Sequence, residues 1–256
     1  MEYLERAKII ARKAGDLLKK YFDMHVKEEE KGIRDIVTKA DKESEQIIKK
    51  EIKKYFPRHS ILAEESGAHY IDKDYLWVID PLDGTANFVH HVPFFNVSIA
   101  LKYRKDTICA VVYNPILNEM FYAKNNGFSY LNGKIIKPSY NDEIKRAFLG
   151  TCHSNNDKSI RRFINLLSVL KYKTRDIRKF GSAALEICYV ASGRFNAFIG
   201  IDVKPWDVSA ALLIAKNAGC KIRSMFNEKD NNVFVSSPAI YKKLNRIIRG
   251  VEKNDK

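Results

Sequence analysis

No stretch of the 256 residues approaches the roughly 18 to 20 consecutive apolar residues of a membrane span. The opening residues, Met1-Glu2-Tyr3-Leu4-Glu5-Arg6, are charged and amphipathic where a secretory leader would be apolar. The chain therefore reads as cytoplasmic, with no membrane partner. Cysteine is sparse: Cys109, Cys152, Cys188 and Cys220 stand far apart in apolar surroundings and form no C-x-x-C pair. That spacing argues against disulfides and zinc ligands and for buried, reduced thiols. Low-complexity tracts and flexible linkers are also missing, so the chain reads as one large domain or two fused halves. The likeliest seam falls in the irregular span at residues 138 to 146, which divides the chain into 1–145 and 146–256.

Acidic residues are the minority, 31 against 45 Lys and Arg, for a formal net charge of +14. A charge of that sign raises nucleic acid as a partner. The cations, however, are spread as pairs such as Lys19-Lys20, Lys49-Lys50, Lys53-Lys54 and Lys242-Lys243 on candidate helix faces. No nucleic-acid motif accompanies them. Attraction of a small anionic substrate is the more economical reading.

The few acids are placed with purpose. Asp80-Pro81-Leu82-Asp83-Gly84-Thr85 follows the apolar run Leu76-Trp77-Val78-Ile79, which has the length and β-branched content of a core strand. Pro81 removes a ladder donor, so the strand is expected to stop at Asp80. Two carboxylates that close raise one pKa sharply or recruit a metal. Gly84 lets the backbone approach a ligand, and Thr85-Ala86-Asn87 resembles a helix opening whose N–H groups could hold phosphate. An ordinary Asp-Gly turn is the alternative.

Along the chain, Leu4, Ala7, Ala11, Ala14, Leu17, Leu18 and Tyr21 predict an amphipathic helix over about 3 to 22. The charge-rich span 25 to 35 has no apolar period and reads as an exposed, mobile loop. Asp41 is placed like the N-cap of a second helix ended by Pro57. Ile61-Leu62-Ala63 reads as a short strand running into Glu64-Glu65. Strands at 94 to 101, 108 to 113 and 120 to 122 suggest an antiparallel meander, with His90 and His91 as loop residues. In the second half a strand at Phe148-Leu149 precedes a helix near 160 to 170. Gly181-Ser182 opens a further helix, a second candidate anion seat or a plain cap. Phe195 to Ile199 is a strand, and Asp207 enters a helix that Gly219 stops.

Asp41, Glu64-Glu65, Asp80/Asp83 and Asp207 are four acidic stations at the ends of apolar elements, the parts for hard cations bridging a phosphate. Three segments, Ala63-Glu64-Glu65-Ser66, Asp80-Pro81-Leu82-Asp83-Gly84-Thr85 and Trp206-Asp207-Val208-Ser209-Ala210, occur in the order found in the inositol monophosphatase family, which the chain resembles over nearly its whole length. The resemblance implies an α/β (α+β) fold, a layered α-β-α-β-α sandwich, often dimeric, and a Mg2+-dependent, lithium-sensitive phosphatase with two or three Mg2+ ions per site. It implies Glu64, Asp80, Asp83, Asp207 and the Leu82 carbonyl as metal ligands. Thr85, oriented by Asp41, would work with Glu64 to activate a water, with Glu65 nearby. Asp83, Gly84, Thr85, Gly181, Ser182, Ala183 and Asp207 would contact the substrate, with Arg178 and Lys204 as additional cations. The departures are Ala63 and Ala211, where the family often has glycine, and Gly200, where its animal members carry an inositol-contacting glutamate. Lys204-Pro205-Trp206-Asp207 resembles the bacterial and archaeal branch. The implied activity is hydrolysis of inositol-1-phosphate. The alternatives are fructose 1,6-bisphosphatase or dual activity, nucleotide 3'-phosphatase, and a non-catalytic anion- or RNA-binding module on the same fold.

Overall fold

Ala7, Ile10, Ala11, Ala14 and Leu18 recur at helical spacing, and in the computed structural model they are the buried face of helix α1 (Glu2–Phe22). The structure describes residues 2–24, 28–32, 35–226 and 231–253. Strand β1 (Glu28–Gly32) pairs antiparallel with β2 (Asp35–Thr38). The span expected to be a mobile loop is thus a hairpin over its described part, because ladder hydrogen bonds come from backbone and need no apolar period; residues 25–27 and 33–34 of it lie outside the described residues. Helix α2 (Lys39–Tyr55) follows.

The first large sheet is built from β3 (Ser60–Ala63), β4 (Gly67–His69), β5 (Tyr75–Asp83), then, after the short helix α3 (Thr85–Val89), β6 (Asn96–Tyr103), β7 (Asp106–Asn114), β8 (Glu119–Lys124), β9 (Ser129–Leu131) and β10 (Lys134–Ile135). Its order is β10-β9-β8-β7-β6-β5-β3-β4, a meander with β3 added parallel to β5. β5 does not stop at Asp80. It runs to Asp83, and its register against β6 shifts between Asp80 and Asp83. The missing donor of Pro81 falls in that irregularity, where a proline is tolerated inside a strand.

The second sheet, ordered β12-β11-β13-β15-β14, comes from β11 (Phe148–His153), β12 (Asp176–Arg178), β13 (Ala197–Ile201), β14 (Lys221–Ser224) and β15 (Val233–Ser236). Among these strands lie helices α4 (Asp157–Leu170), α5 (Ala183–Ala191) and α6 (Pro205–Ala218), and α7 (Pro238–Lys253) follows the last of them.

Period-two alternation sorts the side chains into layers. Trp77, Ile79, Val97, Ile99 and Val111 face α1 and α2, whereas Val78, Ala100, Ala110 and Val112 face the opposite way, onto α5 and α6. Those two helices are apolar nearly all round because the second sheet covers their other side through Phe198, Val233 and Val235. Leu149, Ala197, Ile199 and Phe234 point outward onto α4 and α7. The stack is helix, sheet, helix, sheet, helix, the sandwich expected. All four cysteines are free thiols, Cys152 half-buried and the others buried, and burial pushes Cys109 and Cys220 up to about 12. No helix among the described residues is long and apolar enough to cross a membrane.

Candidate functional site

The site begins where β5 leaves the first sheet. Gly84 has φ 98°, and a Cβ there would stand 3.0 Å from the Phe94 carbonyl oxygen, so both conformation and space select glycine. That turn brings Thr85 back under the strand end, where its hydroxyl lies 3.0 Å from Asp41 Oδ1 and 3.2 Å from the Leu82 carbonyl. Asp41 is 1% exposed. It is not the N-cap of α2. Thr38 caps the helix, and Asp41, three residues on, closes a capping box by accepting from the Thr38 N–H at 2.8 Å and the Thr38 hydroxyl at 2.6 Å, both on Oδ2. One carboxylate therefore fixes the helix start with one oxygen and holds Thr85 with the other.

Asp80, also 1% exposed, accepts the Leu82 N–H at 3.0 Å. Burial pushes its carboxyl well above the usual range, and the charges of Glu64, Asp83 and Asp207, with a hydrogen bond that the protonated Asp80 donates to Glu64, push the same way. Asp83 is raised by burial and pulled back by its donors: the Ser182 hydroxyl at 2.7 Å, Asn96 Nδ2 at 2.9 Å and the Ala184 N–H at 2.9 Å, all on Oδ2. Asp207 is raised to about 7, first by burial and then by the Asp83 charge, against the Lys204 N–H that it accepts at 2.7 Å. It too sits at the third position of its helix rather than at the cap; Lys204 is the N-cap and Pro205 opens α6.

Glu64, Asp80, Asp83 and Asp207 thus feel one another as like charges in a buried corner. Among the described residues no group of three His, Cys, Asp or Glu closes into a ready-made metal cage, although Glu64 and Asp80 are hydrogen-bonded to each other. Their chemistry, oxygen donors with net repulsion, fits a hard divalent cation.

The opposite wall is the start of α5. Ser182 caps it, accepting the Leu185 N–H at 3.3 Å, and the anion at this helix start is the Asp83 carboxylate, bound by the Ser182 hydroxyl and the Ala183 and Ala184 N–H groups. Gly181 is exposed with φ 82° and packs on Asn87. Asn87 Nδ2 donates to the Phe94 carbonyl at 2.7 Å and the Phe180 carbonyl at 2.6 Å, joining the two walls. Behind them Glu186, fully buried, accepts the Thr151 N–H at 2.7 Å and the Phe180 N–H at 3.1 Å.

Of the two expected cations, Arg178 stands apart from this cluster, whereas the charge of Lys204 pulls the Asp207 carboxyl down. Arg178 lies on the edge strand β12, paired with Asp176, its guanidinium 5.5 Å from the Phe148 ring centroid. Lys204 Nζ lies 3.8 Å from Asp202 and is half exposed. Glu65 turns a backbone N–H toward Glu45. Gly200 is interior to β13, and a Cβ on it would meet Phe198 and Val233 at 3.0 Å. His90 ends α3 and His91 is exposed beside it. Sequence reasoning missed Ser44, Glu45, Asn87, Asn96 and Glu186, whose roles come from partners elsewhere in the chain.

The sequence profile of the Inositol monophosphatase family matches residues 1–253. A fructose-1,6-bisphosphatase/inositol-1-monophosphatase of Aquifex aeolicus is 39% identical over 223 residues, 85% of this chain and 84% of its own. Nus factor SuhB of Vibrio cholerae is 38% identical over 247 residues, 93% of this chain and 92% of its own. Among solved structures, the Thermotoga maritima IMPase superposes with TM-score 0.89 at 33% identity over 100% of both chains. Extragenic suppressor protein suhB of Bartonella henselae gives TM-score 0.93 at 30% identity over 97% of this chain and 99% of that one.

Proposed function

The chain belongs to the inositol monophosphatase family of phosphoric monoester hydrolases, and from that membership we propose that it hydrolyses inositol-1-phosphate in a Mg2+-dependent reaction, with fructose 1,6-bisphosphate as a second substrate. The observation that carries the reading is the Thr85 hydroxyl held 3.0 Å from buried Asp41, at the turn that also bears Asp80 and Asp83.

Glu64, Asp80, Asp83, Asp207 and the Leu82 carbonyl would hold two or three Mg2+ ions, which supply neutralisation of charge on the phosphate and on the departing alkoxide. Thr85 directs its proton to Asp41 Oδ1, so its oxygen is left as an acceptor that orients an incoming water. Glu64 takes that water's proton as its oxygen bonds to phosphorus and the ester P–O bond breaks. Positioning and electrostatics carry such a reaction, and no cysteine or histidine nucleophile is needed. Gly84 and the turn 181–183 would seat the substrate between the two walls, with Glu65 nearby. Breadth toward a bisphosphate is supported by half-exposed Lys204 and, at the level of sequence, by Gly200 standing where the animal members carry an acid. A cytoplasmic homodimer is part of the same reading.

Phosphate release from inositol-1-phosphate, fructose 1,6-bisphosphate and 3'-phosphoadenosine 5'-phosphate, with Mg2+ and with EDTA, tests it. We expect the highest kcat/KM on inositol-1-phosphate and none with EDTA; no release from any of the three sinks it. A second reading, polyanion binding without turnover, draws on one feature: Lys242, Arg246, Arg249 and Lys253 line a single outward hollow along α7. Steeply salt-dependent RNA retention by a catalytically silent protein would select it.

A further inference from the structure

Three side chains within about one turn of α2 reach two segments of the candidate site, the Pro81–Thr85 turn twice and the Glu64-Glu65 turn once. Asp41 Oδ1 accepts from Thr85, the Ser44 hydroxyl donates to the Pro81 carbonyl at 2.9 Å, and Glu45 Oε2 accepts the Glu65 N–H at 2.9 Å. Residues 41, 44 and 45 are related by three and four positions, so a rigid helix surface sets the spacing of the partners they hold. Ser44 is 0% and Glu45 4% exposed.

Glu45 is the unexpected member. It is an acid placed behind two others, Glu64 and Glu65, where like charge is a cost that a solvated glutamate would escape by turning outward. The second oxygen explains what offsets the cost. Lys49, one turn further along α2, places its ammonium 3.4 Å from Glu45 Oε1 and donates to the Ser66 hydroxyl at 2.7 Å. Both oxygens of Glu45 thereby grip the Glu64-Glu65-Ser66 turn, one through the backbone of Glu65 and the other through Lys49. The turn has little packing of its own: Glu64 and Glu65 are half-buried, Ser66 is exposed, and β4 beyond it is a three-residue edge strand.

We propose that Glu45 is a positioning residue of the reaction, holding the Glu64-Glu65 turn at a fixed distance from Asp80 and Thr85 through α2. The proposal rests on the phosphatase reading for its kinetic consequence but not for its structural one. A shift of the turn by about 1 Å would misplace Glu64 and lower kcat by about 100-fold, with little change in KM for a substrate bound mainly elsewhere.

The test uses the full chain and three variants, Glu45→Ala, Glu45→Gln and Lys49→Met, read by amide hydrogen exchange at Glu65 and by steady-state kinetics. Glu45→Ala should speed exchange of the Glu65 amide at least about tenfold and lower kcat by about 10- to 100-fold per folded molecule. Glu45→Gln, whose amide oxygen can still accept that N–H, should recover most of both losses. Lys49→Met, a change at a half-buried position that keeps Glu45, should fall between and covers the case in which Glu45→Ala fails to fold. Unchanged Glu65 exchange in Glu45→Ala, or a glutamine variant no better than alanine, overturns the proposal. A wild type inert toward all phosphate esters with the exchange pattern as expected would leave Glu45 positioning the turn and remove the phosphatase reading instead.

Discussion

The Ser182 hydroxyl lies 2.7 Å from Asp83 Oδ2, although the two residues are 99 positions apart. Asp83 therefore has its orientation set from the second half of the chain, with the Ala184 N–H and Asn96 completing three donors on one oxygen. Asp83→Asn keeps an oxygen for those donors while deleting the charge. It should leave the melting temperature near wild type and lower kcat by about a thousandfold or more, the several kcal/mol expected of a lost ligand charge. A near-wild-type kcat at saturating Mg2+ would remove Asp83 from the ligand set.

Asp41 and Thr85, 44 positions apart, act as one unit. Thr85→Ala and Asp41→Asn should each lower kcat by about 100-fold, and the double variant by little more than the worse single, because either change alone breaks the same hydrogen bond. Asp41→Asn should also cost about 0.5–2 kcal/mol in urea denaturation, since one oxygen can no longer serve both the capping box and Thr85. Strictly multiplicative rate losses would show that the two act independently.

Substrate breadth is tested at Lys204 rather than at Gly200. A glutamate at Gly200 would first have to displace Phe198 and Val233, so its effect on specificity would be mixed with strain. Lys204→Ala should lower kcat/KM for fructose 1,6-bisphosphate about two- to fivefold relative to inositol-1-phosphate, as suits a screened surface charge worth up to about 1 kcal/mol. An unmoved ratio would dissociate Lys204 from the second phosphate.

His59 gives the fold a pH dependence of its own. Its Nδ1 accepts the Trp77 indole N–H at 3.2 Å, its ring stacks 4.4 Å from Tyr75, and burial holds the imidazole below its ordinary pKa. The unfolded chain then binds this proton more readily, so the contribution is complete above about pH 6.5 and is lost as pH falls from there through the lowered folded value. Between pH 7.5 and 5.5 the urea midpoint of the wild type should fall more than that of His59→Gln, by no more than about 1 kcal/mol in stability, the net worth of one hydrogen bond. Parallel pH profiles would contradict the assignment.

What could be read beforehand was local. The β5 turn is legible in Pro81-Leu82-Asp83-Gly84, and the layers in alternation such as Trp77, Val78, Ile79. Thr38 and Asp41 both suit the N-cap of α2 by residue type, and only the backbone angles show that Thr38 takes it. β1, Glu28-Glu29-Glu30-Lys31-Gly32, carries four charged residues and no apolar one, so its side chains do not mark it as a strand. Asn96 looks like an ordinary strand residue and Asn87 like part of a helix opening until Ser182, Asp83 and Phe180 are brought beside their side chains. Ile240, Leu244, Ile248 and Val251 recur at helical spacing on α7, a helix not among those expected from the sequence, and nothing local distinguishes Glu45 from the other charged residues of α2.

The five-layer stack fixes an order of events in time. The face of the first sheet toward α1 and α2 is closed by residues of the first half, whereas its other face waits for α5 and α6, and Asp83 for donors that arrive from Ser182 and Ala184, about a hundred residues later. Distant closures come late because their loop entropy must be met before they stabilise anything. During refolding from denaturant, circular dichroism should therefore recover before catalytic turnover, and the interval between them measures how long a half-assembled chain persists with its acids in place but not yet aimed.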